Sequence, residues 1–165
     1  ALEPIEGADA IEKAHVMGWH VVVYFEAQDL ADLLPFLALI PTPVVVDHMG
    51  RPDVTKGIRH PDFIAFLTLM RSHPDVWCKV SCPERLSHSG PPGYDDVVAF
   101  ARAIVEEFPT RVLWGTDWPH PNMTTHMPDD GWLVDMIPKI APTPTLQHQL
   151  LVDNPMRLYW PEARP

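Results

Sequence analysis

The chain has 165 residues and a net charge of −10, from 12 Lys and Arg against 22 Asp and Glu. This acidic balance, without a basic cluster, argues against binding to nucleic acid or to an anionic membrane. An anionic small substrate stays possible if a few arginines converge locally, and the length suits a single domain over residues 1–165. Two cysteines, Cys78 and Cys82, are too few for a disulfide framework, and no apolar run is long enough to span a bilayer. We therefore expect a cytoplasmic protein.

Helix and strand patterns alternate along the chain. Helices are predicted at residues 8–17, 29–39, 61–71, 94–108, 131–140 and 145–153, and a further turn at 155–159. Continuous apolar strands are predicted at residues 19–25, 43–47, 76–81 and 111–116. This alternation predicts an α/β fold with a parallel sheet and outer helices. The pattern alone fits either a small open sheet or half of an eight-stranded barrel, and no glycine-rich phosphate loop follows any strand.

Polar residues follow the last three predicted strands. The second strand leads into residues 47–52, the third into residues 81–85 and the fourth into residues 116–120. In parallel α/β folds the carboxyl ends of the strands meet at one edge, which carries the active site. His, Arg and Asp side chains from three successive strands are therefore expected to lie close together.

These same segments carry a family resemblance. The strings DHMGRPD, VSCPERLS, GTDWPHPNM and DNPMRLYW resemble the 2-pyrone-4,6-dicarboxylate lactonases, a metal-independent branch of the amidohydrolase superfamily. The resemblance covers residues 18–161 and implies the carboxy-terminal half of a TIM-like (β/α)8 barrel, with about four parallel strands and outer helices. The His-x-His pair of the family's first strand has no counterpart here. We therefore expect an incomplete chain in which the amino-terminal strands of the family are absent.

The resemblance implies a hydrolase that opens the lactone ring of 2-pyrone-4,6-dicarboxylate, in the protocatechuate 4,5-cleavage route that degrades lignin-derived aromatics. It implies no metal and no cofactor. Asp117 would be the general base that activates water, and His48 would polarise the substrate carbonyl. On the residues alone, Asp117 also suits a helix cap or an ordinary loop acid, and His48 also suits a structural histidine bonded to a neighbouring loop.

The resemblance gives Arg51 and Arg85 the role of binding the substrate carboxylates. Arginine suits this role because its planar guanidinium donates two parallel hydrogen bonds to a carboxylate. The alternative for both is surface ion pairing, which contributes little. Tyr24 is predicted to donate a hydrogen bond to substrate, with a core aromatic as the alternative. His120 and Asn122 are expected to shape the loop that follows Asp117.

Two other functions stay open from the sequence. One is a metal-dependent amidohydrolase or decarboxylase of the same superfamily. The other is a non-catalytic fragment that binds a dicarboxylate without turnover. Because half a barrel leaves two strand edges unpaired and its inner face exposed, we also expect the isolated chain to self-associate or to be only marginally stable.

Overall fold

A computed structural model of the protein describes residues 8–124 and 126–161. Its sheet consists of strands β1 (Val21–Val23), β2 (Val44–Val46), β3 (Val76–Val80) and β4 (Val112–Trp114). All neighbours are parallel and the spatial order β1-β2-β3-β4 follows the chain. The α/β class and the four predicted strands are confirmed. Each strand is shorter than predicted, because the predicted ranges included residues that only flank the paired backbone.

Nine α-helices lie among the described residues. They are α1 (Ala8–Val16), α2 (Leu30–Leu37), α3 (Pro61–Ser72), α4 (Pro83–Leu86), α5 (Asp95–Glu107), α6 (Asp130–Asp135), α7 (Ile137–Ile140), α8 (Pro144–His148) and α9 (Asn154–Tyr159). Short 3-10 helices occupy Ala27–Asp29, Asp47–Gly50 and Val54–Lys56, and a π-helical turn, Gln149–Asp153, joins α8 to α9.

Two predicted helices are divided in the structure. The one expected at residues 131–140 separates into α6 and α7, with Pro138 in the first turn of α7. Proline lacks the backbone N–H that a continuous helix needs, so it suits the start of a new helix. The one expected at residues 145–153 consists of α8 and the π-helical turn, and α9 begins at Asn154, the helix boundary that the sequence predicts.

The two faces of the sheet pack against different partners. On one face, Val44, Val46, Cys78 and Val112 join the apolar side chains of α3 and α5 in the main core. On the other face a smaller cluster forms from Val45, Trp77 and Leu113, with Leu158 of α9 packed against it. Residues that alternate along a strand point to opposite faces, which explains why consecutive valines of β2 belong to different clusters.

Two polar side chains, one half-buried and one buried, fix the outer elements to the sheet at its amino-terminal end. Arg111 donates to the backbone carbonyls of Met70, His73 and Val76, at 2.8, 3.0 and 2.8 Å. Asn154, only 1% exposed, donates to the carbonyl of Val112 at 2.7 Å and to that of Pro109. These donors bind carbonyls at, or just before, the starts of β3 and β4, so they stabilise the ends from which those strands start.

The helices in the described part of the chain are all too short, or too polar, to cross a membrane.

Candidate active site

Non-glycine residues in the left-handed region follow three of the strands. His48 after β2, Cys82 after β3 and Asp117 after β4 have φ values of 51°, 61° and 67°. This conformation costs a non-glycine residue about 1–2 kcal/mol, so it persists only where the surrounding structure imposes it. Strained positions of this kind cluster at functional sites. Donor atoms of the three side chains lie within 4.8 Å of one another.

Arg85, from α4, links His48 and Asp117. Its Nη2 donates to Asp117 Oδ2 at 2.7 Å and lies 3.2 Å from His48 Nε2. The same His48 nitrogen lies 3.7 Å from Asp117 Oδ1. The three side chains are at most 16% exposed, so water screens their charges only in part. The structure thus brings both predicted catalytic residues and one predicted carboxylate-binding arginine into direct proximity, and Asp117 caps none of the described helices.

The environment of His48 favours a neutral imidazole. Burial lowers the pKa of His48, and Asp117 opposes that effect without reversing it. Nδ1 lies 2.8 Å from the hydroxyl of Ser81. Because a guanidinium only donates, the Arg85 contact makes Nε2 an acceptor and places the ring proton on Nδ1, from where it is donated to Ser81. The Ser81 hydroxyl accepts or donates, so it supports either tautomer.

The donor atoms of His48, Cys82 and Asp117 do not fit a divalent metal in this arrangement. Arg85 lies among them, with its Nε 2.7 Å from Cys82 Sγ and its Nη2 in contact with the other two side chains. A guanidinium would repel a metal ion held by the same atoms. Burial also raises the pKa of Cys82 to about 12, whereas metal binding needs the thiolate. Arg85 supplies the positive charge at this point of the site.

Arg51 and Tyr24 form a second group beside the first, joined by Glu26. Arg51 Nε donates to Glu26 Oε1 at 2.8 Å, and Tyr24 Oη donates to the same oxygen at 3.1 Å. The Arg51 guanidinium lies 5.6 Å from the centre of the Tyr24 ring, which meets His48 edge to face at 5.8 Å. Tyr24 is 54% exposed, so it lies outside the core formed by the described residues. Sequence reasoning missed Glu26; its place three residues past β1 was the available signal.

A polar cleft of about 340 Å³ lies between Arg51 and Arg85. Glu26, Lys56 and His88 are among the other residues that line it. The cleft opens at the carboxyl ends of β1, β2 and β3, where a small substrate is expected in a parallel α/β fold. Two arginines at its border give the cleft donors for an anionic ligand within an acidic protein.

A buried acid and histidine support the loop that carries Asp117. His120 Nδ1 lies 3.4 Å from Glu84 Oε1, its Nε2 lies 3.1 Å from Asp130 Oδ1, and its backbone N–H donates to the Asp117 carbonyl at 2.7 Å. Burial raises the pKa of Glu84, whose side chain is fully enclosed. These contacts support the loop-shaping role predicted for His120. Sequence reasoning missed Glu84, although it directly precedes Arg85.

Fold and site together define an α/β half barrel, with its polar cluster at the carboxyl ends of parallel strands. Residues 5–160 match the Amidohydrolase family, and the chain belongs to that family. The 2-pyrone-4,6-dicarboxylate hydrolase of Comamonas testosteroni is 67% identical over 153 residues, which are 88% of this chain and 50% of that protein. The 4-sulfomuconolactone hydrolase of Rhizobium radiobacter is 38% identical, over 96% of this chain and 56% of that protein.

Solved structures also match nearly all of this chain and only part of their own length. A probable 2-pyrone-4,6-dicarboxylic acid hydrolase from Acinetobacter baumannii, with citric acid bound, aligns with a TM-score of 0.79 and 28% identity, over 96% of this chain and 59% of that one. A zinc-containing amidohydrolase from Burkholderia multivorans, 19% identical with a TM-score of 0.77, shares the fold. The chain spans about half the length of the curated relatives it matches. The predicted fold, four strands of an amidohydrolase barrel, is confirmed.

Proposed function

We propose that this chain forms the carboxyl-end site of a lactone hydrolase that acts on 2-pyrone-4,6-dicarboxylate when the barrel is complete. One observation carries the proposal: Asp117, His48 and Arg85 lie within hydrogen-bonding or ion-pair distance beside a cleft bordered by Arg51. The similarity to lactone hydrolases, at 67% and 38% identity, supports the same reaction class.

In the proposed reaction Asp117 is the general base. Its carboxylate removes a proton from water, and the resulting hydroxide adds to the lactone carbonyl carbon. The ring C–O bond then breaks, and the proton returns to the departing ring oxygen. The products are a new carboxylic acid, which releases its proton to solvent, and an enol that tautomerises to a ketone. Arg85 holds Asp117 by one hydrogen bond, which fixes the direction in which the carboxylate faces.

His48 stabilises the charge that develops on the carbonyl oxygen. For this role Nε2 must carry the ring proton, and the Ser81 hydroxyl, 2.8 Å from Nδ1, then donates to the ring. The lowered pKa of His48 keeps the imidazole neutral near pH 7, so the ring donates a hydrogen bond without adding a full charge. A substrate carbonyl oxygen beside Nε2 accepts from the ring and so favours this tautomer, while Arg85 keeps its hydrogen bond to Asp117.

Arg51 and Arg85 bind the substrate carboxylates. A dianionic substrate is repelled by a chain with a net charge of −10, so local cations must supply the attraction. Bidentate pairing with arginine gives orientation as well as charge. Tyr24 belongs to the same group through Glu26, because its hydroxyl donates to the carboxylate oxygen that also accepts from Arg51.

The proposal includes metal-independent hydrolysis, because Arg85 occupies the place that a metal would need. It also includes a cytoplasmic location and the breakdown of lignin-derived aromatics, both in line with the family resemblance. We further propose that residues 1–165 act as a single half-barrel unit.

The test is hydrolysis by a complete barrel, made by joining this chain to the half of the Comamonas testosteroni relative that it does not match. Consumption of 2-pyrone-4,6-dicarboxylate is followed by loss of pyrone absorbance, before and after dialysis against a chelator. Full activity after dialysis supports the proposal. Activity that is lost and then restored by Zn²⁺ would favour a metal-dependent amidohydrolase. Dicarboxylate binding without turnover would favour a non-catalytic binding function.

A further inference from the structure

Arg51 has an unsatisfied donor beside the cleft. Its side chain is 18% exposed, and its Nη1 is buried without a hydrogen-bond partner among the described residues. A buried charged donor without a partner is costly, and a functional role is one of the explanations for such a group. Glu26 binds Nε, which lies on the side of the guanidinium away from Nη1. Nη2 makes no hydrogen bond among the described residues and is not enclosed as Nη1 is, so it is the donor of Arg51 that is left for a carboxylate in the cleft.

Glu26 also joins Arg51 to Tyr24. One carboxylate oxygen, Oε1, accepts from both Arg51 Nε and Tyr24 Oη, at 2.8 and 3.1 Å. The ring of Tyr24 lies 5.6 Å from the guanidinium carbon. An arginine side chain loses much rotamer freedom when it is fixed, and here one acid and one ring fix it before any ligand arrives.

Resting on the proposed function, we propose that Glu26 is a positioning residue, which orients Arg51 so that Nη2 of its guanidinium donates to one substrate carboxylate. The opposite role is competition, in which Glu26 neutralises Arg51 and must be displaced. The two roles predict opposite effects on substrate affinity when Glu26 is removed. We expect the orienting effect of Glu26 on Arg51 to outweigh its repulsion of the substrate carboxylate. The reason is that Glu26 is 45% exposed, so water screens its charge.

The experiment compares Glu26→Ala with Glu26→Gln in the joined barrel. Glutamine keeps an oxygen that accepts from Arg51 and Tyr24, whereas alanine removes it. We expect Glu26→Ala to raise KM about tenfold with kcat within about twofold, as for one charge-assisted contact. Glu26→Gln should keep KM within about threefold of the parent or lower it. A lower KM in both variants would overturn positioning in favour of competition, and an unchanged KM in both would also overturn it.

A matched control lies on α5. There Arg102 Nε donates to Glu106 Oε1 at 2.8 Å, the same geometry as in the Arg51 pair, on the outer surface. Glu106→Ala should leave KM and kcat unchanged. Circular dichroism melts of all variants show whether each one folds like the parent.

Two further measurements separate positioning from general structural damage. The first uses a pyrone monocarboxylate that lacks the carboxylate bound by Arg51. With this substrate, Glu26→Ala should have the same KM and kcat as the parent. The double variant Tyr24→Phe with Glu26→Ala should be no worse than Glu26→Ala alone, because the Tyr24 hydroxyl acts through Glu26. Equal losses with both substrates, or additive losses in the double variant, would overturn this assignment.

A binding assay keeps this inference distinct from the proposed function. Titration calorimetry with pyridine-2,4-dicarboxylate, an unreactive planar dicarboxylate, measures affinity without turnover. If the parent binds it but hydrolyses no lactone, the proposed function fails, and about tenfold weaker binding by Glu26→Ala still supports positioning. If the parent hydrolyses the lactone and Glu26→Ala changes neither KM nor binding, the inference alone fails. A parent that neither binds nor hydrolyses overturns both.

Discussion

Arg85 Nη2 lies 2.7 Å from Asp117 Oδ2, and this hydrogen bond joins two residues that are 32 positions apart in the chain. The contact connects the end of β3 to the end of β4 across the candidate site. In the proposed mechanism one partner takes a proton from water and the other binds a carboxylate and orients the base. Their replacement should therefore affect different steps of the reaction.

Asp117→Asn should lower kcat of the joined barrel by about two to four orders of magnitude, the usual contribution of a general base. The amide still accepts from Arg85, so KM should change less than about threefold. Steady-state kinetics with 2-pyrone-4,6-dicarboxylate measure both constants. The control is Asp135→Asn at the exposed end of α6, which should leave both unchanged. Intact turnover in Asp117→Asn would remove Asp117 from the role of base.

Arg85→Met should act mainly on binding. The change removes a charge-assisted contact worth about 1.5–3 kcal/mol, so KM should rise by roughly 10–100-fold. Because Arg85 also touches Asp117, kcat should fall as well, by about tenfold or less. Arg85→Lys should restore only part of the affinity, since an ammonium cannot reproduce the planar fork. Arg102→Met, an exposed arginine on α5, is the control. An Arg85→Met variant with unchanged KM would contradict the carboxylate-binding role.

Asp96→Asn should destabilise the protein at neutral pH. Burial acts to raise the pKa of Asp96, but hydrogen bonds from Ser87, Ser89 and the His88 N–H outweigh it and lower the pKa from 3.8 to about 2. Since the folded-state pKa lies below the unfolded value, the stabilisation is complete above pH 4 and is lost as the pH falls toward 2. Allowing for solvent screening, the loss at pH 7 should be about 1 kcal/mol.

Urea unfolding of the chain at several pH values measures this effect. The difference between the parent and Asp96→Asn should shrink steadily as the solution is acidified. Asp95→Asn is the matched control, because Asp95 is the adjacent residue but is 74% exposed and pairs only with Lys139 among the described residues. A loss in Asp96→Asn that stays constant from pH 7 to pH 3 would show that its carboxylate charge is not the cause.

The isolated chain should self-associate through its strand edges. In the described sheet β1 pairs only with β2, and β4 pairs only with β3. Val22, in the middle of β1, is 45% exposed. A lysine at an edge strand opposes pairing, so Val22→Lys should shift the sedimentation profile toward monomer. Ile64→Lys is the control. Ile64 lies on α3 and is 41% exposed, and its replacement should leave the sedimentation profile unchanged. A parent that sediments as a monomer at all concentrations would contradict the expectation.

The sequence by itself determined the order of the elements and the end of the sheet that carries the site. Valine runs such as those of β1 and β2 are strand-forming in most contexts, so the strands could be placed without any tertiary information. The polar residues that follow them predicted where His48, Arg85 and Asp117 would lie. Because the strands are parallel, their carboxyl ends meet at one edge of the sheet, and the side chains that follow the strands lie at that edge.

Only the tertiary structure decided how these side chains pair. Glu26 binds Arg51 across 25 residues, and His120 bonds Glu84 across 36. Periodicity reports which face of an element is buried, but contacts between loops depend on backbone turns that no apolar pattern encodes. The left-handed conformations of His48, Cys82 and Asp117 are of this kind, because an isolated residue of these types disfavours them. The surrounding packing imposes them, and with them the geometry of the site.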